Sequence, residues 1–167
     1  MKRGLYTPPS RGRVGFTIVE LMIVVTVIGL LAVLAVPALV NARREAQDAA
    51  FLNDVRIIEQ SLEQHALENG TYPGDAPVAT EPDGLGGYIK SSFSWSAKTH
   101  IGGYWDWDRA TNAGGKVYGL YEAGLSIIAP GRTTRQMAHL DGRLDDGDLE
   151  TGRFQSHSAG YVYIHQF

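Results

Sequence analysis

The sequence has 167 residues, of which 44% are hydrophobic and 20% charged, and it contains no cysteine. This length suits one domain of ordinary size, and this composition excludes wholesale disorder. The lack of cysteine excludes a disulfide framework, a thiolate metal site and a cysteine nucleophile. The net charge of -3 is uneven, because the acidic body of the chain follows a basic start. The four charged side chains among the first fifteen residues are all basic, namely Lys2, Arg3, Arg11 and Arg13. An acidic body argues against nonspecific binding of nucleic acid.

A long uncharged run, residues 21–40, follows the basic start. A helix rises about 1.5 Å per residue, so this run spans roughly the 30 Å hydrocarbon core of a bilayer. The basic residues before it predict a cytoplasmic N-terminus, which leaves the body of the chain on the other side of the membrane. A secretory signal peptide is the alternative. Its apolar core is usually only about 7–15 residues long, and no A-x-A cleavage site follows this run.

The pattern then changes to that of an amphipathic helix. Apolar residues recur at helical spacing and form one stripe, made of Phe51, Val55, Ile58, Leu62 and Ala66. Asn69-Gly70 is a helix stop signal. The two segments therefore predict one continuous helix, and Pro37 should kink it because proline removes a backbone donor and clashes with the preceding turn.

The rest of the chain predicts loops and short strands. Residues 70 to about 115 are rich in glycine, proline, serine and aspartate, which favours loops. A short helix is predicted over Thr133–Leu140, capped by Thr133 or Thr134 and stopped by Gly142. The predicted strands are Tyr104–Asp108, Val117–Tyr121, Ala123–Ile128 and Gly160–Phe167, and in the last of these Val162 and Ile164 face away from Tyr161, Tyr163, His165 and Phe167. The predicted fold class is α+β, with a long kinked N-terminal helix packed on a small antiparallel sheet.

The junction before the apolar run carries a specific motif. Gly15 is followed by Phe-Thr-Ile-Val and then by Glu20 and Leu21, giving Gly-Phe-Thr-x-x-Glu-Leu after a short basic leader. This pattern resembles the processing site of type IV prepilins and type II secretion pseudopilins. The resemblance implies that a prepilin peptidase cuts between Gly15 and Phe16 and that the new amino group of Phe16 is methylated. Pro37 also falls where this family often places a helix-kinking proline.

The resemblance divides the chain into four segments. They are a leader peptide (1–15), a transmembrane and filament-core helix (16–42), an amphipathic helix of the globular domain (43–69) and a loop-rich β domain (70–167).

Glu20 is the most informative residue of the junction. A carboxylate at the edge of an apolar span costs a few kcal/mol if it has no partner. In a filament, the α-amino cation of Phe16 on a neighbouring subunit can supply that partner, and this pair would set the axial register of assembly. The simpler alternative is that Glu20 is solvated among lipid headgroups.

These features predict a structural subunit of a type II secretion pseudopilus, held in the inner membrane with its globular domain in the periplasm. The run Asn-Gly-Thr-Tyr-Pro at residues 69–73 resembles that of major pseudopilins. The resemblance implies several partners: further copies, other pilin-like subunits, prepilin peptidase, membrane lipid and an assembly platform with a cytoplasmic ATPase. A surface pilin for adhesion, motility or DNA uptake is the first alternative, with the assembled filament extracellular instead of periplasmic. A single-pass membrane protein whose outer domain binds a ligand is the alternative from another class. No catalytic constellation is recognisable, so an enzyme is not expected.

Two further clusters invite a binding role. Residues 141–148 contain four carboxylates, with Asp145, Asp146 and Asp148 as candidate calcium ligands. Some pseudopilins similar to this chain hold calcium in a C-terminal loop, whereas the spacing here fails the EF-hand template and also suits a solvated acidic turn. Residues 105–108 alternate tryptophan with aspartate. This pattern is compatible with a site for a sugar or a protein partner, or with tryptophans buried in the core and aspartates exposed to solvent.

Overall fold

A computed structural model describes residues 15–89, 93–110 and 115–166. The predicted leader, apart from Gly15, and the predicted strand end at Phe167 lie outside these residues. The elements are α1 (Ile18–Asn69), a 3-10 turn (Leu85–Gly87), β1 (Tyr104–Arg109), β2 (Ala123–Ile128), α2 (Thr134–Leu144), β3 (Phe154–His157) and β4 (Gly160–Gln166). The chain divides into two compact units, Met1–Ala42 and Arg43–Phe167, and each is described by itself.

The described part of the first unit consists mainly of the apolar residues of α1. Every side chain from 15 to 42 is exposed, although most of them are large and apolar. Thr26, an exposed polar residue within the apolar run, donates its hydroxyl to the carbonyl oxygen of Met22 at 2.7 Å. Helical structure continues through Pro37. Within the described ranges, α1 is the one helix long and apolar enough to cross a membrane.

The second unit contains an antiparallel sheet with strand order β1-β2-β4-β3. The part of α1 that belongs to this unit packs on one face of the sheet, where the Phe51 ring stacks on Trp105 at 5.2 Å between centroids. The predicted stripe is buried except for its last member, since Ala66 is only partly buried and His65 is buried instead. The main core also includes Trp107, Leu125, Ile127, Met137, Leu140 and Phe154. The predicted α+β fold is confirmed.

The alternation predicted for the last strand is confirmed by β4, which serves two faces of the sheet. Val162 and Ile164 form a small second cluster with Tyr121, whereas Tyr163 belongs to the main core. The sheet therefore has a main face against α1 and an outer face away from it.

The prediction of a strand at Val117–Tyr121 is wrong. A single bridge pairs Val117 with Tyr121, and the residues between them form a turn. Tyr118 and Gly119 adopt positive φ angles of 51° and 76°, which turn the chain back on itself and prevent an extended strand.

The short helix begins as predicted but ends later. Thr133 caps α2 through a capping box, in which Gln136 N–H donates to the Thr133 hydroxyl and Thr133 N–H donates to the Gln136 side chain at 3.0 Å. The predicted stop at Gly142 is wrong, because α2 continues through this glycine to Leu144. This extension places Asp141 inside the helix.

Candidate functional site

The predicted cleavage junction lies just before α1 begins. Gly15 is exposed, and a Cβ added to it would meet no atom within 4 Å. Phe16 is 75% exposed. The hydroxyl of Thr17 accepts the N–H of Glu20 at 3.2 Å, so Thr17 caps the helix. The sequence analysis missed this role of Thr17, although a threonine three residues before a glutamate is a capping signal.

Glu20 occupies the first turn of α1 and is exposed. It is the one charged residue in the segment 16–42. The positive end of the helix dipole favours a carboxylate at this position. Among the described residues, its carboxylate forms neither an ion pair nor a hydrogen bond.

The acidic segment after α2 brings three carboxylates together. One oxygen each from Asp141, Asp145 and Asp146 lies within 4.8 Å of the others. Asp145 and Asp146 were predicted as ligands, whereas Asp141 was not. The carboxylate of the third predicted ligand, Asp148, accepts the N–H of Glu150 at 3.1 Å and is not part of this trio.

The environments of the trio differ. Asp141 is fully buried, whereas Asp145 and Asp146 are exposed. Burial, with the negative charges of Asp146 and Asp145 adding to it, raises the pKa of Asp141 to about 6. The Asp148 N–H and the Thr151 hydroxyl donate to Asp146 at 2.8 and 2.9 Å and hold its pKa below the usual value.

The trio fits a hard cation. All of its donors are carboxylate oxygens, which are the ligands that Ca²⁺ prefers. Gly152, at a φ of 70°, lies against the carboxylates of Asp145 and Asp146, and a Cβ there would collide with both. The lack of a side chain at Gly152 therefore lets these carboxylate oxygens approach the backbone closely.

The tryptophan and aspartate pairs of β1 separate as predicted, but only half of the prediction holds. Trp105 and Trp107 are buried in the main core. Asp106 and Asp108 were expected to be solvated, and that is wrong, since they are 5% and 9% exposed. The turn that precedes Tyr121 brings this residue over the outer face of the sheet. The Tyr121 hydroxyl donates to Asp108 at 3.0 Å.

Comparison with known proteins finds type II secretion system core proteins G and a fimbrial protein, each similar over about half of this chain. The type II secretion system core protein G of Dickeya chrysanthemi is 34% identical over 48% of this chain and 49% of its own length. The protein of the same name from Aeromonas hydrophila is 36% identical over 48% of this chain and 65% of its own length. A fimbrial protein of Neisseria meningitidis serogroup B is 37% identical over 46% of this chain and 47% of its own length.

The other comparisons add no match. No family model matches the chain, and no solved structure matches it. The chain spans about half to two thirds of the length of these curated relatives. Over that shared part, the chain is a homologue of type II secretion core protein G and of a fimbrial protein, which confirms its resemblance to the type IV pilin and type II secretion pseudopilin family.

Proposed function

We propose that this chain is a structural subunit of a type II secretion pseudopilus. The observation that carries the proposal is the exposed apolar surface of α1 in the first unit, joined directly to the Gly15–Phe16 junction. Such a surface is stable only against lipid or against other apolar helices. The relatives named core protein G support the choice of secretion system.

The proposed life cycle has two stages that use the same helix. The subunit is first held in the inner membrane by the apolar run, with its globular domain in the periplasm. Prepilin peptidase removes residues 1–15, and the amino group of Phe16 is methylated. An assembly platform driven by a cytoplasmic ATPase then moves the helix from lipid into the filament core. Both surroundings are apolar, so this exchange need not cost much free energy.

Two residues of the helix have proposed roles in assembly. Glu20 pairs with the α-amino cation of Phe16 on a neighbouring subunit and sets the axial register. Pro37 kinks the helix where the transmembrane part approaches its end. The neighbours are copies of this chain and other pilin-like subunits.

A surface pilin is the second candidate function. The Neisseria fimbrial protein, similar to this chain at 37% identity, is the observation that favours it. A filament of this kind would be extracellular and would serve adhesion, motility or DNA uptake. A membrane-anchored ligand-binding protein is the alternative outside this family, and it would need neither processing nor polymerisation.

The acidic segment has a proposed structural role of its own. We propose that calcium binds beside Asp145 and Asp146, as the resemblance implies for the C-terminal loops of some pseudopilins. A bound ion would neutralise neighbouring carboxylates and hold the loop between α2 and β3 in one conformation. No other cofactor is proposed.

Processing is tested by mass spectrometry of the purified membrane protein. The expected mature protein begins at methylated Phe16 and lacks residues 1–15. The Gly15→Ala variant should accumulate as the uncut precursor, because the peptidase cleft needs a backbone without a side chain there. Gly4→Ala is the matched control within the leader and should be cut normally. A normally trimmed Gly15→Ala product would contradict the proposed cleavage site.

A further inference from the structure

The end of α1 places an asparagine directly before a glycine. Asn69 is the last residue of the helix, and of the four asparagines in the sequence it is the one that precedes a glycine. Gly70 has a φ of 72°, and a Cβ added to it would meet no atom within 4 Å. Both residues are exposed. The last residues of a helix fray, so this pair samples backbone conformations that a helix interior forbids.

This arrangement favours an intramolecular reaction of the asparagine side chain. The backbone nitrogen of Gly70 attacks Cγ of Asn69, the bond between Cγ and Nδ2 breaks, and ammonia leaves with the proton of the Gly70 nitrogen. Water then opens the resulting cyclic imide. Hydrolysis of its bond between nitrogen and Cγ gives aspartate, whereas hydrolysis of its bond to the backbone carbonyl carbon gives isoaspartate. The reaction consumes water and releases ammonia, and a glycine after the asparagine leaves the attacking nitrogen unhindered.

Two hydrogen bonds hold the Asn69 amide away from this reaction. Its Nδ2 donates to the carbonyl oxygen of His65 at 3.0 Å and to the hydroxyl of Tyr88 at 3.3 Å. The Tyr88 hydroxyl in turn donates to Glu68 at 2.8 Å, which fixes its position. The bond to His65 lies within the last turn of α1 and is lost when that turn frays. The bond to Tyr88 comes from outside the helix and restrains the amide independently.

We propose that Asn69 is a site of spontaneous deamidation and that the Tyr88 hydroxyl slows the reaction by holding the amide. Exposure, the following glycine and the fraying helix end permit the attack on Cγ. The amide must leave the hydroxyl before Cγ can reach the Gly70 nitrogen. Tyr88 follows Asn69 by 19 residues and is half-buried directly after the 3-10 turn, so this restraint depends on the folded chain.

Asn53 is the matched site that lacks these features. It is exposed on the same helix, but it lies in the interior of α1 and precedes Asp54. Backbone hydrogen bonds on both sides hold this part of the helix, and the following nitrogen belongs to a residue with a side chain. Asn53 should therefore keep its amide under conditions that convert Asn69.

Deamidation would weaken the end of α1. An acid at position 69 loses the donor to the carbonyl oxygen of His65 and places a second carboxylate beside Glu68, at the negative end of the helix dipole. The last turn of α1 contains no basic side chain to offset this charge. Isoaspartate also lengthens the backbone before Thr71, whose carbonyl oxygen accepts a hydrogen bond from the His65 ring at 3.1 Å. An aged subunit should thus be less stable where the chain leaves α1.

The reaction is measured by incubating the full chain in detergent at constant, mildly alkaline pH. Samples taken over time are digested with trypsin, which separates the two asparagines of α1 into peptides 45–56 and 57–90. Mass spectrometry with fragmentation locates each conversion of amide to acid. Methylation by protein isoaspartyl methyltransferase measures isoaspartate independently.

The wild-type protein should gain acid at Asn69 and not at Asn53. Tyr88→Phe should raise the rate at Asn69 about fivefold, the factor that corresponds to one net hydrogen bond. Tyr163→Phe is the control, because it removes a hydroxyl that donates to Glu59 on the same helix at 3.4 Å and should leave the rate unchanged. The variant Asn69→Asp, which is one of the two products, should melt at a lower temperature than the wild type.

Each part of the proposal has its own contradicting result. If Asn69 keeps its amide in the wild type and in Tyr88→Phe, while the urea-unfolded chain loses it, the site is overturned. Equal rates in Tyr88→Phe and the wild type, or equal acceleration in Tyr88→Phe and Tyr163→Phe, overturn the role of the Tyr88 hydroxyl. An unchanged melting temperature for Asn69→Asp overturns the effect on stability. If Tyr88→Phe fails to fold, Gly70→Ala provides the second measurement: its Cβ should slow the conversion, and an unchanged rate overturns the attack by this nitrogen.

Discussion

Two buried carboxylates of β1 lie next to each other on the outer face of the sheet. Asp108 accepts hydrogen bonds from the hydroxyls of Tyr121 and Ser126 at 3.0 and 2.5 Å. Burial, with the negative charges of Asp108 and Asp75 adding to it, raises the pKa of Asp106 to about 7. Asp106 therefore makes the stability of the second unit depend on pH close to neutrality.

The sign of this dependence follows from proton linkage. In the unfolded chain Asp106 loses its proton near the ordinary pKa of 3.8, whereas the folded protein keeps it up to about pH 7. Between these values the folded state binds more protons, so the free energy of unfolding falls as pH rises. We expect Asp106→Asn to have the same free energy of unfolding as the wild type at about pH 4. At about pH 8 its free energy of unfolding should be higher by on the order of 2 kcal/mol, measured by urea unfolding.

A buried histidine on the other face of the sheet, His165, also makes stability depend on pH, and its contribution must be separated from that of Asp106. Burial lowers the pKa of His165 to about 4, so its contribution to stability is present above the unfolded pKa and is lost as pH falls from about 6.5 towards 4. This slope opposes that of Asp106 and is common to the wild type and the variant, so their difference isolates Asp106. Asp83→Asn, an exposed control, should show no pH-dependent difference. If the stability difference between Asp106→Asn and the wild type also did not change with pH, the prediction would be contradicted.

At this scale the sequence predicts the face of a residue better than its surroundings. Alternation along β1 correctly separated the tryptophans from the aspartates. It did not show that the turn at 118–120 brings Tyr121 over the outer face, or that Gly124 leaves space for its ring. Asp141 was missed for a related reason: Gly142 predicts a helix stop, which places the acid before it at the start of an acidic turn, whereas α2 continues to Leu144.

The turn after α1 is joined to β1 by side-chain donors. Arg109 donates from its two terminal nitrogens to the carbonyl oxygen of Tyr72 and to the Thr71 hydroxyl, the latter at 2.7 Å. The indole N–H of Trp107 donates to the carbonyl oxygen of Pro73 at 3.2 Å. The Asn-Gly-Thr-Tyr-Pro run thus fixes the path of the chain as it leaves the helix and reaches the sheet.

Substitution of Arg109 tests this connection. Arg109→Ala removes a charged donor from at least two acceptors and should lower the free energy of unfolding by about 2–3 kcal/mol. Arg109→Lys should recover only part of the loss, because an ammonium group does not reproduce the planar fork of a guanidinium. Thermal unfolding of the full chain followed by tryptophan fluorescence measures both effects. The exposed Arg135→Ala control should change stability by less than about 0.5 kcal/mol, and an equal change at both positions would contradict the role of Arg109.

Elements with a clear sequence pattern were predictable, including the six-residue strands β1 and β2, whereas the shortest strand was not. The stripe on α1 and the alternation in β4 gave the helix and the last strand almost to the residue. The four-residue β3 was not predicted, because its stability comes from pairing with β4 and not from its own sequence pattern. The segment Val117–Tyr121 has strand-like composition, yet positive φ angles at 118 and 119 make it a turn.

The two units of the whole molecule satisfy the hydrophobic effect in different ways. The second unit buries its own core between α1 and the sheet. In the described part of the first unit, residues 15–42, the apolar side chains are exposed. Sequence patterning predicted this division, since a stripe implies a helix packed on one side and an unbroken apolar run implies apolar surroundings all round. What the apolar run packs against is decided by other molecules, so neither its sequence nor its fold contains that information.

Glu20 offers the most direct test of polymerisation, because it is the one charge in segment 16–42. If it pairs with the Phe16 amine of a neighbour, Glu20→Gln leaves that cation unpaired in an apolar interior, which costs about 3–5 kcal/mol per contact. We therefore expect normal recovery in the membrane fraction but a more than tenfold loss of subunits that can be crosslinked to one another, both measured by immunoblot. Glu45→Gln, an exposed control on the same helix, should assemble normally. If Glu20 is only solvated among headgroups, its variant should form filaments as well as the wild type, and the pairing would then be excluded.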